Sequence, residues 1–208
     1  MLQYGSFLSK VLNKEVDFNS DTLKWTLHTS TYSPNRDTDA YFTSATNELS
    51  TAGGYTAGGV TATSATMTYT AANSWSVQRA NSTAYTVGQI IRPATGNGFL
   101  YRCVTAGTSA GTVTTLGTTL GASTTDGTAV FEMVGSGITV VTTASPSWTS
   151  FTAGPFRYAV LSDTTPGSAA TNPLIGLVDF GSNQTGGGGT FQINVNSTLG
   201  LFHYFNAP

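Results

Sequence analysis

The stretch "TLKWTLHTS" (residues 22–30) sets Leu23, Trp25 and Leu27 in strict alternation with Lys24, Thr26 and His28. A period of two is the pattern of a strand with one face buried and one face wet. Downstream, "GITVVTT" (137–143), "FRYAVLSD" (156–163), "PLIGLVDFG" (173–181) and "GTFQINVNSTLGLFHYF" (189–205) read as further strand-containing runs. The turn-rich segments "TTPGSAATN" (164–172) and "SNQTGGGG" (182–189) separate them. Between the first strand and the centre, "TYSPNRDTDAYF" (31–42) is a loop punctuated by Pro34. "AGGYTAGGVTATSATMTYT" (52–70) gives Gly-rich turns and then a strand from Val60 to Thr70. The expected fold is all-β: a β-sandwich-like domain with a short N-terminal helix and a small inserted β domain.

The helix is read from Tyr4, Phe7, Leu8, Val11 and Leu12, which fall at the spacing of one helical face. It is about three turns long, and an isolated helix of that length is marginal in water. Its apolar face must therefore dock, either on the protein's own sheet or on a partner subunit.

Charged residues make up 9% of the chain, well below the roughly 25% of an ordinary soluble domain. The net charge is -2, from 8 Lys and Arg against 10 Asp and Glu, so there is no basic patch for nucleic acid. Thr, Ser, Asn and Gly supply the polarity instead, which suits strands and a surface partly covered by neighbours. No run reaches the ~18 apolar residues of a membrane span. "MLQYGSFLSKVLNKEVDF" lacks a basic start, an apolar run and a small-residue cleavage site. Synthesis in a cytoplasm, without the usual export signal and without a membrane partner, is the expectation. Cys103 is the sole cysteine, so an intrachain disulfide is excluded.

Residues 78–135 form a segment with its own turns and alternation: Tyr85, Val87, Ile90 and Ile91, then Phe99, Tyr101 and Cys103, then Val130, Phe131 and Val134. A Ser-Trp pair flanks it on each side, at Trp75 and Trp148. The runs on either side would pair as neighbours if the segment were cut out, which is how a small domain inserted in a loop reads. The expected division is therefore 1–77 with 136–208 as one discontinuous domain, and 78–135 as an insert.

Within the insert, "AYTVGQIIRPATGNGFLYRCVTAGTSAG" and "TTDGTAVFEMVG" carry Ala84, Tyr85, Val87, Gly88, Asn97, Gly98, Tyr101, Cys103, Thr105 to Ser109, Asp126 and Gly127. These positions resemble a small β module of tailed-bacteriophage structural and tail proteins, itself similar to chitin-binding-type carbohydrate modules. The resemblance implies glycan stacking, for which Tyr85 and Phe99 are the candidate rings. The sequence departs from it at "TVTTLGTTLG" (112–121), where the family carries a Pro-Trp-Pro-like segment, and at Phe131, where Trp is usual. Tyr101 and Cys103 alternate onto one face, which places them in the insert's core.

Outside the insert, the Thr-Ser-x-Tyr-x-Pro loop, the Gly-Tyr-x-x-Gly-Gly turn and the "YAVL", "PLIG" and "DFG" strands look like a recurrent phage virion protein. This resemblance implies a structural component of a tailed-phage particle, a capsid decoration or cement protein on the outer virion surface. Its partners would be the major capsid protein or other virion proteins, with self-association and weak host-surface glycan binding. The alternative it implies is a tail-associated adhesin that binds host polysaccharide.

Catalytic chemistry finds no footing. His28 and His203 sit far apart in strand-like runs, and one cysteine with two histidines gives no zinc spacing. Asp37 and Asp39 match a calcium loop only superficially, without its Gly and distal Glu. Asp163 and Asp179 flank strand ends, where turn-forming side chains are common. Gly186 to Gly189 lack the following helix and lysine of a phosphate cradle and read as a flexible loop. The expectation is no enzyme, no cofactor and no metal.

Overall fold

The computed structural model describes residues 1–208. In chain order the elements are β1 (Leu2–Gln3), α1 (Phe7–Leu12), β2 (Leu23–His28), β3 (Val60–Thr61), β4 (Thr66–Ala71), β5 (Ala84–Tyr85), β6 (Ile90–Ile91), β7 (Leu100–Thr105) and β8 (Gly107–Thr108). They continue with β9 (Ser123–Asp126), β10 (Ala129–Gly135), β11 (Gly137–Thr142), β12 (Ser147–Trp148), β13 (Phe156–Asp163), β14 (Leu174–Gln184), β15 (Phe191–Gln192) and β16 (Phe202–Asn206). Strands dominate and a single short α-helix accompanies them, so the protein is all-β.

The chain divides into two compact units, Met1–Met67 with Val141–Phe202, and Thr68–Val140 with His203–Pro208. The first is built on a five-stranded sheet of order β1-β14-β13-β2-β3. Antiparallel register sets His28 against Tyr158 and Thr26 against Val160 on one face. On the other face Leu27 meets Ala159 and Trp25 meets Leu161.

Both faces are covered, which corrects the reading of Thr22–Ser30 as half wet. Thr26 and His28 are buried along with Leu23, Trp25 and Leu27. The cause is the loop that follows. It lays Tyr32 and Phe42 against the imidazole, with ring centroids 5.4 and 5.9 Å away. His28 keeps its hydrogen bonds, Nδ1 to the Thr46 carbonyl and Nε2 with Thr26 Oγ1, both at 2.8 Å. A buried polar side chain is tolerated when satisfied in this way.

The helix is also smaller than its stripe suggested. Only six residues are helical, and they bury Phe7 and Lys10. Leu8 and Leu12 face out, at 41% and 75% exposure. Lys10 is buried because its ammonium lies 3.5 Å over the Tyr41 ring and bonds Glu15 at 2.9 Å. Ring face and carboxylate together replace its lost hydration. The expected strand from Val60 to Thr70 is likewise broken: β3 and β4 are separated by a turn in which Ser64 takes a left-handed φ of 53°.

In the second unit, β6-β7-β10-β9 form a four-stranded sheet and β5 pairs with β8. β10 alternates perfectly, burying Ala129, Phe131, Met133 and Gly135 and leaving Val130, Glu132 and Val134 half out. Its inward face packs with Tyr85, Ile91, Tyr101, Cys103 and Leu116. β4 and β11 are neighbours in a three-stranded sheet of order β16-β11-β4. The Ala72 amide donates to the Ser136 carbonyl at 3.0 Å, closing the neck of the intervening segment.

Candidate functional site

Of the two candidate stacking rings, Tyr85 lies in the core of the second unit and Phe99 packs against it. Tyr85 is 3% exposed, and its ring meets Phe131 edge-on at 5.2 Å. Its hydroxyl accepts from the Ala80 amide at 2.8 Å. Phe99 is half-buried against the same cluster. Glycan stacking needs an open ring face, and Tyr85 has none. Tyr101 and Cys103 fill this core, at 1% and 0% exposure. The Tyr101 hydroxyl accepts from Asn97 Nδ2 at 2.7 Å, and burial raises the Cys103 thiol pKa. A buried thiol of raised pKa is inert rather than nucleophilic.

Around this core runs a network that periodicity does not reveal. Arg79 and Asp126 form a two-pronged ion pair, at 2.8 and 2.9 Å, with both side chains essentially inaccessible. Arg79 also donates to the carbonyls of Ala110 and Thr112 and to Asn81 Oδ1. Asp126 accepts from the Ala110 amide and from Thr114 Oγ1 at 2.6 Å. The Arg79 hydrogen bonds hold the Asp126 carboxyl down at about 2. The aromatic-free segment 112–121 is thus tied by polar bonds at its start and by Leu116, buried in the core, at its centre.

The remaining titratable groups named from sequence are also in structural use or stand apart. Asp39 Oδ2 accepts from the Asn35 amide at 2.9 Å and from the Tyr32 hydroxyl at 3.2 Å. That hydroxyl in turn sits 2.8 Å from the Tyr4 hydroxyl. Burial pushes Tyr4 up to about 12. Asp37 takes no part in this chain. Asp179 pairs with Arg157 at 2.9 Å, and His203 lies exposed on β16. Burial lowers the pKa of His28, so the imidazole is neutral and its Nδ1 carries the proton donated to Thr46. No group of three or more His, Cys, Asp or Glu side chains is placed to hold a metal ion. No helix is long and apolar enough to cross a membrane. Gly186 to Gly189 belong to the connection from β14 to β15, where the Gly186 and Gly188 amides donate to Ala153 and Phe151 carbonyls.

What the first unit does present is an edge. β1 has two residues and covers β14 only at Gly176 and Leu177. From Val178 to Gln184, β14 is paired on its β13 side alone. There the register jumps from Tyr158 opposite Asp179 to Phe156 opposite Gln184, so Phe180 to Asn183 bulge out. Met1 and Leu2, at 39% and 44% exposure, lie where this edge begins, and Leu8 and Leu12 are exposed on α1, which packs on β14. Unpaired backbone next to exposed apolar side chains is the composition of a docking surface. The apolar stripe put Leu8 and Leu12 on a docking face, and they are exposed because the helix packs on the face of Phe7 and Lys10.

No family model matches this chain, and no curated protein or solved structure matches it.

Proposed function

We propose that the protein is a structural component of a tailed-phage particle, a decoration protein bound to the outer capsid surface. The observation that carries this reading is a pair of features of the first unit: the exposed apolar side chains of the N-terminal segment, Met1, Leu2, Leu8 and Leu12, and a β14 that is unpaired on one side from Val178 onward. Covering their exposed apolar surface contributes roughly 25 cal/mol per Å² removed from water, and β14 offers backbone donors and acceptors to a partner strand. The resemblance of the strand and loop motifs to phage virion proteins gives the class of partner, the major capsid protein or another virion protein. The scarcity of charge suits a surface consumed by contacts.

In this reading the unit of Met1–Met67 and Val141–Phe202 is a sandwich-like attachment domain, and the segment between β4 and β11 is an inserted module. The module's role is architectural, since of its two candidate rings for sugar stacking Tyr85 is enclosed in its core and Phe99 is packed half-buried against it. The protein catalyses nothing and needs no cofactor.

The test is the copy number in purified particles, measured by quantitative mass spectrometry and located in a density map. Decoration predicts a copy number comparable to that of the major capsid protein, with density on the outer shell. A small number of copies at the tail overturns it in favour of an adhesin.

A further inference from the structure

β13 ends on Asp163, which has no accessible surface. Its Oδ1 accepts from the Thr165 amide at 2.8 Å, while its Oδ2 is buried and has no hydrogen-bond partner. A buried carboxylate is ordinarily paired with a cation or fully hydrogen-bonded. Here the four ion pairs of the protein engage Lys10, Arg79, Arg102 and Arg157, and none reaches Asp163. What faces Asp163 is a second carboxylate, that of Asp21.

The two are brought together by register. Asp163 stands opposite Leu23, and Asp21 lies two residues before Leu23. The junction is clamped by Thr22, whose amide donates to Thr165 Oγ1 and whose carbonyl accepts from the Thr164 amide and hydroxyl, at 2.8 to 2.9 Å. Asp21 in turn closes the preceding turn, its Oδ2 accepting from the Asp17 amide at 2.6 Å.

We propose that Asp163 and Asp21 share one proton, and that this proton latches the segment leading from α1 into β2 onto the end of β13. Protonated at Oδ2, Asp163 donates to Asp21. That satisfies the orphaned Asp163 oxygen and removes the repulsion between two charges. Ionised, the same pair places two negative charges face to face with one of them desolvated.

The surrounding groups do not offset this. Lys24 follows Leu23 and pairs with Ser162, on the opposite face of the sheet. From β14's side comes only the Pro173 carbonyl, bonded to the Asp163 amide. Residues 164–172 carry no charge. Lys14 and Asp17 line a hollow of about 520 Å³ beside Asp21, with Val11, Val16 and Met67.

Burial first, and then the charge of Asp21, raises the pKa of Asp163 against the opposing Thr165 hydrogen bonds. An acid whose folded pKa is raised contributes stability that is complete below its unfolded pKa. That contribution is lost as pH rises through the folded pKa. The latch is therefore closed in acid and opens as the solution becomes more alkaline. It rests on these carboxylates and not on the virion reading.

The test uses the full chain. Carbon-13 carboxyl NMR of Asp163 should show a titration above the ordinary aspartate range, falling back toward that range in Asp21→Asn. Asp163→Asn, which keeps a donor at the same position, should melt higher than wild type at pH 8 and lose that advantage at pH 4. Hydrogen-exchange protection of the Asp17 and Asp21 amides should fall in wild type from pH 5 to pH 8 and hold steady in Asp163→Asn. An Asp163 carboxyl that titrates in the ordinary range or below it overturns the proposal. So does a rise in melting temperature on adding magnesium or calcium chloride that Asp163→Asn abolishes, since a cation would then be what the pair holds.

Discussion

Asp126 and Arg79 stand 47 residues apart in the chain and meet directly, at 2.8 Å. Their pair ties the turn at Asn81 to the carbonyls of Ala110 and Thr112, so it stands in for core in a unit whose apolar cluster is small. Removing one partner of a buried pair strands the other charge, which costs about 3–5 kcal/mol. Asp126→Asn should lower stability by that amount at neutral pH. The sign with acid follows from the depressed pKa of about 2. A carboxylate held below its unfolded pKa of roughly 3.9 contributes stability above that value and loses it as pH falls. The gap between wild type and Asp126→Asn should therefore narrow from pH 4 toward pH 2, as read by chemical denaturation across that range. A gap that does not change with pH would mean that the charge is not what holds the loops.

At the scale of elements, α1 has one face that anchors it, through Phe7 and Lys10, and one that is exposed, with Leu8 and Leu12. Phe7 packs edge-on against Phe18 at 5.8 Å and lies 5.5 Å from Phe202, so the helix is anchored by this ring and not by its leucines. Exposed substitutions away from structural contacts usually shift stability by no more than about 0.5 kcal/mol. Leu8→Asp and Leu12→Asp should therefore leave the melting temperature near wild type, whereas Phe7→Ala should cost about 3–5 kcal/mol. If the N-terminal segment is the docking surface, the same two aspartate variants should fail to bind particles. Binding at wild-type strength by both would remove the segment from the interface.

At the scale of the whole molecule, β4 and β11 are hydrogen-bonded neighbours although a long segment separates them. Within that segment Trp75 donates from Nε1 to the Ile90 carbonyl, and the Arg92 amide donates to Val77. Trp75 and Val77 thus belong with the second unit, and a cut at residue 78 would divide its contacts. Deleting residues 73–135 and joining Ala72 to Ser136 through a short glycine linker should leave the rest cooperatively folded. The ends already lie a hydrogen bond apart, and a short linker adds little closure entropy. Circular dichroism and a single sharp melt of the deletion variant would bear this out. A chain that loses its strand signal would show that the first unit depends on the second.

The β class was legible in the alternation of Leu23, Trp25 and Leu27, because side chains on a strand must point to opposite faces whatever surrounds them. The inward placing of Tyr101 and Cys103 was legible for the same reason. Periodicity says which residues share a face and is silent on what covers that face. Thr26 and His28 were thus set in water by the pattern, and were buried by a loop that brings Tyr32, Phe42 and the Thr46 carbonyl to them. The pattern put Leu8 and Leu12 on a face that must dock on the sheet or on a partner, and it could not show that the helix packs on its own unit through Phe7 and Lys10 instead. Arg79 with Asp126, and Asp21 with Asp163, have no sequence signal at all. Each pair joins distant segments, and its energy depends on burial and on the charge opposite, which only the tertiary fold supplies.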